Sequence, residues 1–338
     1  MAGKNGKIKG ESSELRMNEF ERYERQVRVL GEDAQARICE SSVLVVGCGA
    51  LGTHVAEMLV RAGVRHLVLV DDDVIELSNL QRQSLFEAQD VGRLKVEAAR
   101  ERLLAIDESC QITAVAVKFD KVDLDALGWP DVLVDGTDNF LARELINDVA
   151  LEEKIPWVFA ALAGTSGQVM ALRPWVADLP CLACAFPELA DLEANCETIG
   201  VVTPIVPIIA GLEAGLVLRL LIEQDSVKFD EMLVADWTGE IQHFHVNKRG
   251  SCAACGRDRG LSNLTKVCGG AFQGVTHRSV RFDKGWEVDE KRLACFVKFD
   301  KYEITVFHNG RVLFYGFESA PTEIWEWMNN ENRHSDGI

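Results

Sequence analysis

Val43-Leu44-Val45-Val46-Gly47-Cys48-Gly49-Ala50-Leu51-Gly52 runs from an unbroken apolar segment straight into a G-x-G-x-x-G turn. Four consecutive apolar residues suit a strand buried on both faces, as in a parallel sheet. The glycines let the backbone approach a phosphate. The helix that the pattern predicts over Thr53 to Ala62 turns unpaired N–H groups and its positive dipole end toward the same point. The alternation continues outward with an apolar run over His66 to Val70, a helical pattern over Val91 to Ile106 and a further run over Val132 to Val134. Strands alternating with helices predict a Rossmann-like, doubly wound, mostly parallel α/β sheet. Asp71 ends the second strand at the distance where an acid takes ribose hydroxyls, which favours an adenosine nucleotide over a glycine-rich turn with no ligand.

Asp71-Asp72-Asp73 leads into Asn79-Leu80-Gln81-Arg82-Gln83 and then Val91-Gly92-Arg93-Leu94-Lys95, placing Arg82 and Lys95 beyond the carboxyl end of that strand. Two cations there suit a triphosphate better than a nicotinamide. The third strand ends in Asp135-Gly136-Thr137-Asp138-Asn139, which adds an acidic oxygen for Mg²⁺ beside the phosphates. Each charge taken alone reads as a solvated surface residue; together, at one sheet edge, they read as a phosphate and metal site.

The chain has 338 residues, 47% hydrophobic and 26% charged, enough for one large core or two domains and unlike a disordered or disulfide-stapled chain. With 36 Lys+Arg against 53 Asp+Glu the net charge is −17, so nucleic acid and anionic membrane surfaces are not expected partners. Val201 to Ile222 is almost wholly apolar, yet Pro204, Pro207, Glu213 and Arg219 make it a buried helix rather than a membrane span. Ten Cys, and no apolar signal segment behind Lys4, Lys7 and Lys9, point to the cytoplasm.

Cys181-Leu-Ala-Cys184 and Cys252-Ala-Ala-Cys255 are two C-x-x-C pairs with residues 185–251 between them. Each can supply half of a tetrahedral thiolate cage, so a structural zinc stapling the second half is expected, ahead of a redox dithiol or unliganded thiols. Four Cys close the cage, leaving His243 and His245 to strand alternation. Cys196, in the polar stretch Asn195 to Pro204, reads either as an exposed reactive thiolate or as an ordinary Cys. Cys39, Cys48, Cys110, Cys268 and Cys295 read as packing residues.

Residues 1–16 and 331–338 are polar and aperiodic, expected to be flexible around a 17–259 domain and a 260–330 appendage. In the appendage, Cys295 to Phe299, Tyr302 to Phe307 and Arg311 to Tyr315 read as strands, the last two joined at Asn309-Gly310. A helix after Ser319 and Pro321 has an apolar side of Ala320, Ile324, Trp327 and Met328. This α+β unit is small enough to need its neighbour. Truncation after Arg259 is nonetheless expected to leave nucleotide binding intact.

With these residues assembled, the chain resembles the ThiF/MoeB family of adenylyltransferases, bacterial relatives of ubiquitin-activating enzymes. The resemblance spans about Glu21 to Gly256. It rests on Arg22-Tyr23-Glu24-Arg25-Gln26, the glycine turn, Asp71 to Asp73, Asn79 to Gln83, Val91 to Lys95, Thr137 to Asn139, Gly167-Gln168-Val169, Pro180 to Pro187, Cys196 with Gly200 to Pro204, and Cys252-x-x-Cys255-Gly256. It implies Mg·ATP-dependent adenylation of the C-terminal Gly-Gly carboxylate of a small ubiquitin-like (β-grasp) sulfur carrier, in thiamine, molybdopterin or related biosynthesis. It also implies a nucleotide site of Gly47, Gly49, Ala50, Gly52, Asp71, Asp73, Asn79, Arg82, Gln83, Lys95, Asp138 and Asn139. Within that site Asp71 and Asp73 would hold the ribose, Asn79, Arg82 and Lys95 the phosphates, and Asp138 the Mg²⁺. Arg25 would enter the partner's site in a homodimer, and Cys196 would become linked to the carrier. The chain departs from the family at Cys48, Ala50, Ala142-Arg143 and Gly211 to Gly215. It has no rhodanese-like domain, so sulfur would come from a separate donor protein. An NAD-dependent oxidoreductase leaves Arg82, Lys95 and Asp138 without a role, and a non-catalytic carrier-binding scaffold would be expected to lack one of them.

Overall fold

The structure, a computed structural model, describes residues 20–186, 200–252 and 254–256, then segments 262–266, 272–275, 287–290, 294–299, 302–307 and 311–329. Helices α1 (Glu24–Leu30) and α2 (Glu32–Glu40) precede β1 (Ser42–Val46), α3 (Ala50–Ala62) and β2 (His66–Val70). Next come α4 (Lys95–Ile106), β3 (Gln111–Val115), β4 (Val132–Asp135), α5 (Phe140–Glu153), β5 (Trp157–Ala163) and β6 (Ser166–Leu172). Helix α6 (Ile205–Ile222), β7 (Glu231–Asp236) and β8 (Ile241–His245) complete an eight-stranded sheet ordered β3-β2-β1-β4-β5-β6-β7-β8. The strands from β3 to β5 in that order are parallel, in keeping with the double-sided burial of β1, β2 and β4, and β6 to β8 extend the sheet antiparallel. The doubly wound expectation holds. Strand β3, half-exposed along its length, offers no apolar run to read.

Two helices begin later than their apolar patterns. Gly92 takes φ +90° and its N–H donates to the Ile75 carbonyl, while Val74 and Leu94 form an antiparallel bridge, so α4 starts at Lys95 rather than Val91. Val201 bridges Gly164, and α6 starts only after Pro204. By length and composition α6 could cross a membrane, with mean hydropathy 2.1, yet half of it is buried against α3, β5 and β6.

A second, antiparallel sheet is built from β9 (Ser262–Lys266), β10 (Phe272–Val275), β11 (Glu287–Glu290), β12 (Ala294–Phe299), β13 (Tyr302–Phe307) and β14 (Arg311–Tyr315), in the order β11-β12-β13-β14-β10-β9. One face carries Val297, Ile304, Val312 and Phe314 and is covered by Ile324, Trp325 and Met328 of α7 (Thr322–Asn329). Ala320 is exposed and precedes the helix, so Trp325 takes the place expected of it; the Trp327 side chain and Asn309-Gly310 lie outside the described residues. The opposite face packs Ala294, Phe307 and Leu313 on Leu141 and Leu145 of α5. Across that seam the Arg311 guanidinium, 8% exposed, donates to Asp148 Oδ2 at 2.7 Å and Glu144 Oε2 at 2.9 Å. Truncation after Arg259 would therefore uncover the Leu141 and Leu145 face of α5 and remove the Arg311 partner of Asp148 and Glu144.

Candidate nucleotide site and cysteine cage

The switch point of the sheet lies between β1 and β4, where the turns that follow the two strands meet. Gly47, at φ +91°, donates its N–H to the Val70 carbonyl, and the Gly136 N–H donates to the Val46 carbonyl. A Cβ on Gly47 would stand 2.6 Å from the Gly136 oxygen, one on Gly136 2.3 Å from the Gly47 oxygen, and one on Gly52 1.9 Å from that oxygen. These glycines exist so that the two turns and α3 can touch. Gly49 differs: a Cβ there would meet only the Gly136 oxygen at 3.5 Å. Thr53 is the first residue of the helix whose N–H finds a carbonyl, that of Gly49, so the N–H groups before it remain for an anion.

Asp71 is already engaged by this turn. Its Oδ2 accepts from the Cys48 N–H at 2.7 Å and its Oδ1 from the Asp73 N–H at 2.8 Å, which fixes the glycine turn against the end of β2. Burial pushes this carboxyl up, and the Lys95 charge opposes the shift. The Cys48 thiol is buried and pushed far up for the same reason, so it packs, as its sequence context suggests.

Lys95 opens α4, where a cation faces the unfavourable end of the helix dipole. The bridge that delays the helix holds it there: the Lys95 N–H donates to the Asp73 carbonyl at 3.0 Å and its Nζ to Asp73 Oδ2 at 2.7 Å. The residue is 7% exposed. Burial works to lower its pKa, and the carboxylates of Asp71, Asp73 and Asp138 outweigh burial, so Lys95 is held charged above the usual lysine range. A buried cation thus stands among three acids from two loops, with two ammonium N–H groups left for a ligand. Taken singly in the sequence, Lys95 looks like a surface residue; it is not one.

Arg82 is half-buried and its Nη1 donates to the Ser78 carbonyl at 2.9 Å. Its segment is pinned to α3 by the Ser84 N–H on Thr53 Oγ1 at 3.2 Å, and to the start of α6 by Gln81 Nε2 on Thr203 Oγ1 at 2.7 Å. Asn79 is buried and its Oδ1 accepts from the Glu76 N–H at 3.0 Å, so it shapes the turn. The buried Gln83 Oε1 has no hydrogen-bond partner among the described residues. Asp138 is exposed at the rim, whereas Asn139 spends its Oδ1 capping α5 through the Ala142 N–H at 2.9 Å.

The pair that sets the Asp138 loop is invisible in the sequence. Asp135, fully buried, pairs with Arg143 Nε at 2.8 Å, and the Arg143 Nη2 donates to the Thr137 carbonyl at 2.7 Å and the Ala160 carbonyl at 3.1 Å. No spacing advertises this contact. Glu213 of α6 lies near it, fully buried with both oxygens unpartnered, and burial pushes its carboxyl far up, which favours the neutral form. An Arg143→Gln chain is expected to lose about 3 to 5 kcal/mol, because the Asp135 charge stays buried without its partner; urea unfolding measures this, and a loss under ~1 kcal/mol contradicts it.

Arg25 lies elsewhere. It is exposed on α1, whose neighbours Arg22, Tyr23 and Gln26 bind the Ile106 carbonyl, Asp107 and the Ala62 carbonyl. These anchors sit at the far ends of α3 and α4, about 20 Å along α3 from its phosphate-facing end, so Arg25 is remote from its own chain's glycine turn. Cys196 lies outside the described residues.

The four Cys sulfurs converge. Cys181 Sγ stands 3.9 Å from Cys184 Sγ and 3.6 Å from Cys252 Sγ, and Cys184 Sγ lies 3.6 Å from Cys255 Sγ. A tetrahedral ion with sulfur ligands at about 2.3 Å separates them by about 3.8 Å, so the set fits one. Donation from Cys181 and Cys255 pulls the Cys252 thiol well down. His243 and His245 sit on exposed β8 and pair instead with Glu231 and Asp230.

A family model, the ThiF family, matches residues 23–257. The chain belongs to the ThiF family. The span takes in every loop of the nucleotide site and both Cys pairs, and leaves the second sheet outside. Among curated relatives, the sulfur carrier protein ThiS adenylyltransferase of Escherichia coli is 35% identical, over 70% of this chain and 96% of that protein. The SAMP-activating enzyme E1 of Haloferax volcanii is 34% identical over 75% and 94%. The molybdopterin-synthase adenylyltransferase of E. coli is 32% identical over 72% and 100%. Among solved structures, E. coli MccB with ATP has a TM-score of 0.60 at 21% identity, covering 70% of this chain and 74% of that one, a likeness of fold.

Proposed function

We propose that this chain is an ATP-dependent adenylyltransferase that activates the C-terminal Gly-Gly carboxylate of a small ubiquitin-like sulfur carrier. The carrying observation is Lys95, buried and charged among Asp71, Asp73 and Asp138 beside an open helix N-terminus. A nicotinamide gives that cation nothing to do. A tetra-anionic triphosphate does, and three ThiF relatives with at least 94% of their length matched carry names of this chemistry.

In the reaction a carboxylate oxygen of the carrier attacks the α-phosphorus, the bond to the β-phosphate oxygen breaks, and pyrophosphate leaves with the electron pair. The carboxylate is already ionised, so no protein base is needed. The chain's contribution is to hold two anions together: α3 N–H groups and the Lys95 and Arg82 cations offset phosphate charge and keep attacker and leaving group in line. Mg²⁺ arriving with the nucleotide would be held by Asp138 and would neutralise further phosphate charge. The carrier would approach from the β5 to β8 side of the rim, where Trp237 and Ile241 are 54% and 44% exposed.

The resemblance assigns Arg25 to the partner's ATP site and so implies a homodimer, a role compatible with its exposure away from its own chain's glycine turn. Sulfur would come from a separate donor protein, with Cys196 able to join the carrier covalently. We place the protein in the cytoplasm, where a thiolate cage stays reduced.

Zinc would be held by Cys181, Cys184, Cys252 and Cys255, and would tie the end of the family span to its middle. One zinc per chain is expected by atomic absorption, lost in Cys252→Ser together with thermal stability; a full-occupancy variant or a metal-free wild type contradicts the assignment.

Intact mass spectrometry after incubation with ATP and a Gly-Gly carrier tests the reaction. The carrier is expected to gain one AMP; a carrier unmodified by chain that has bound ATP contradicts the proposal.

A further inference from the structure

The second sheet lies outside the matched family span, yet it is docked on α5 and on the turn that follows β3. Register sets its contacting face: Arg311, Leu313 and Tyr315 alternate along β14, with Thr305 and Glu303 beside them on β13. The Tyr315 hydroxyl donates to Asp120 Oδ2 at 3.1 Å, and Lys118 and Lys121 place their Nζ atoms 5.5 and 5.3 Å from its ring centroid. Lys121 also donates to Thr305 Oγ1 at 3.1 Å and lies 5.1 Å from the Phe296 centroid. Burial, followed by the Asp120 carboxylate, pushes the Tyr315 phenol up, so it stays a donor.

Residues 116–121, which carry these partners, form the turn leaving β3 at its carboxyl end. That turn adjoins Asp71, whose N–H donates to the Val115 carbonyl at 3.2 Å. In a doubly wound sheet the phosphates sit at the first glycine turn and the ribose at the acid ending the next strand. One strand further out along the same rim is the turn after β3. We propose that residues 116–121, clamped by the C-terminal sheet, bound the purine end of the nucleotide, and that Tyr315 is a positioning residue for base recognition. The inference rests on the adenylation reading. It makes a segment outside the family span part of the ATP site, and it predicts that damage there is felt by the base and not by the phosphates.

Calorimetric titration of the full-length chain with ATP and with tripolyphosphate separates the two ends. Tyr315→Phe keeps the ring and removes only the donor, and is expected to weaken ATP about fivefold while leaving tripolyphosphate unchanged. Tyr315→Ala also removes the ring beneath the lysines and is expected to weaken ATP about tenfold or more, again without changing tripolyphosphate. Should Tyr315→Ala fail to fold, Tyr315→Phe decides alone. Equal losses for both ligands, or none for either, overturn the inference. A wild-type chain that binds neither ligand contradicts the adenylation reading itself, a result distinct from either pattern in the variants.

Discussion

A Lys95→Ala chain is expected to fold and to exchange pyrophosphate into ATP at least about a hundredfold more slowly than wild type. Wild-type Lys95 is 7% exposed and its charge interacts with three carboxylates. Removing it leaves Asp71, Asp73 and Asp138 uncompensated at the place where a tetra-anionic substrate must bind, so the loss should appear in both ATP affinity and turnover. Stability should change little, because the Asp73 partner is 66% exposed at its side chain and such half-wet pairs contribute about 1 kcal/mol or less. Lys95→Arg is expected to recover only part of the rate, since a planar fork does not fill the place of a compact ammonium held against Asp73. Wild-type exchange by Lys95→Ala would remove the cation from the mechanism.

Gly52→Ala is expected not to accumulate as folded protein, with a cost above about 4 kcal/mol. The new methyl would stand 1.9 Å from the Gly47 oxygen and 2.9 Å from its carbon, and neither can retreat because Gly47 and Gly136 already touch. Gly49→Ala is the informative contrast. Its methyl meets one atom at 3.5 Å, so the chain should fold normally and lose ATP affinity, because the face it blocks is the one left open to the phosphate. Urea unfolding and nucleotide titration on the pair separate glycines that serve the fold from the glycine that serves the ligand; equal behaviour of the two variants would contradict that division.

The centre of the fold is legible in the sequence because β1, β2 and β4 are buried on both faces and so form unbroken apolar runs. Strand β3 and exposed β8 lack that signature, and the antiparallel half is correspondingly faint. The Cys pairs can be read across the long segment between them because two C-x-x-C halves together match the four thiolates that a tetrahedral ion takes. Positions of site residues are legible, and their energetics are not. Lys95, taken singly, looks solvated but is buried, and the sequence does not show that Asp71 also accepts two backbone N–H groups or that Asn139 also caps a helix. Asp135 with Arg143, and Asp120 with Tyr315, cannot be read at all. Those pairs form between elements whose approach is set by the sheet, and no local periodicity encodes it.

Carrier-dependent exchange of labelled pyrophosphate into ATP, run across candidate carriers ending in Gly-Gly with Lys95→Ala as the blank, tests the central claim most directly. Exchange supported by one carrier, and lost when its terminal glycine is removed, is the predicted result. Measurable ATP binding with no exchange for any carrier would contradict it and leave a nucleotide-binding scaffold of the same fold.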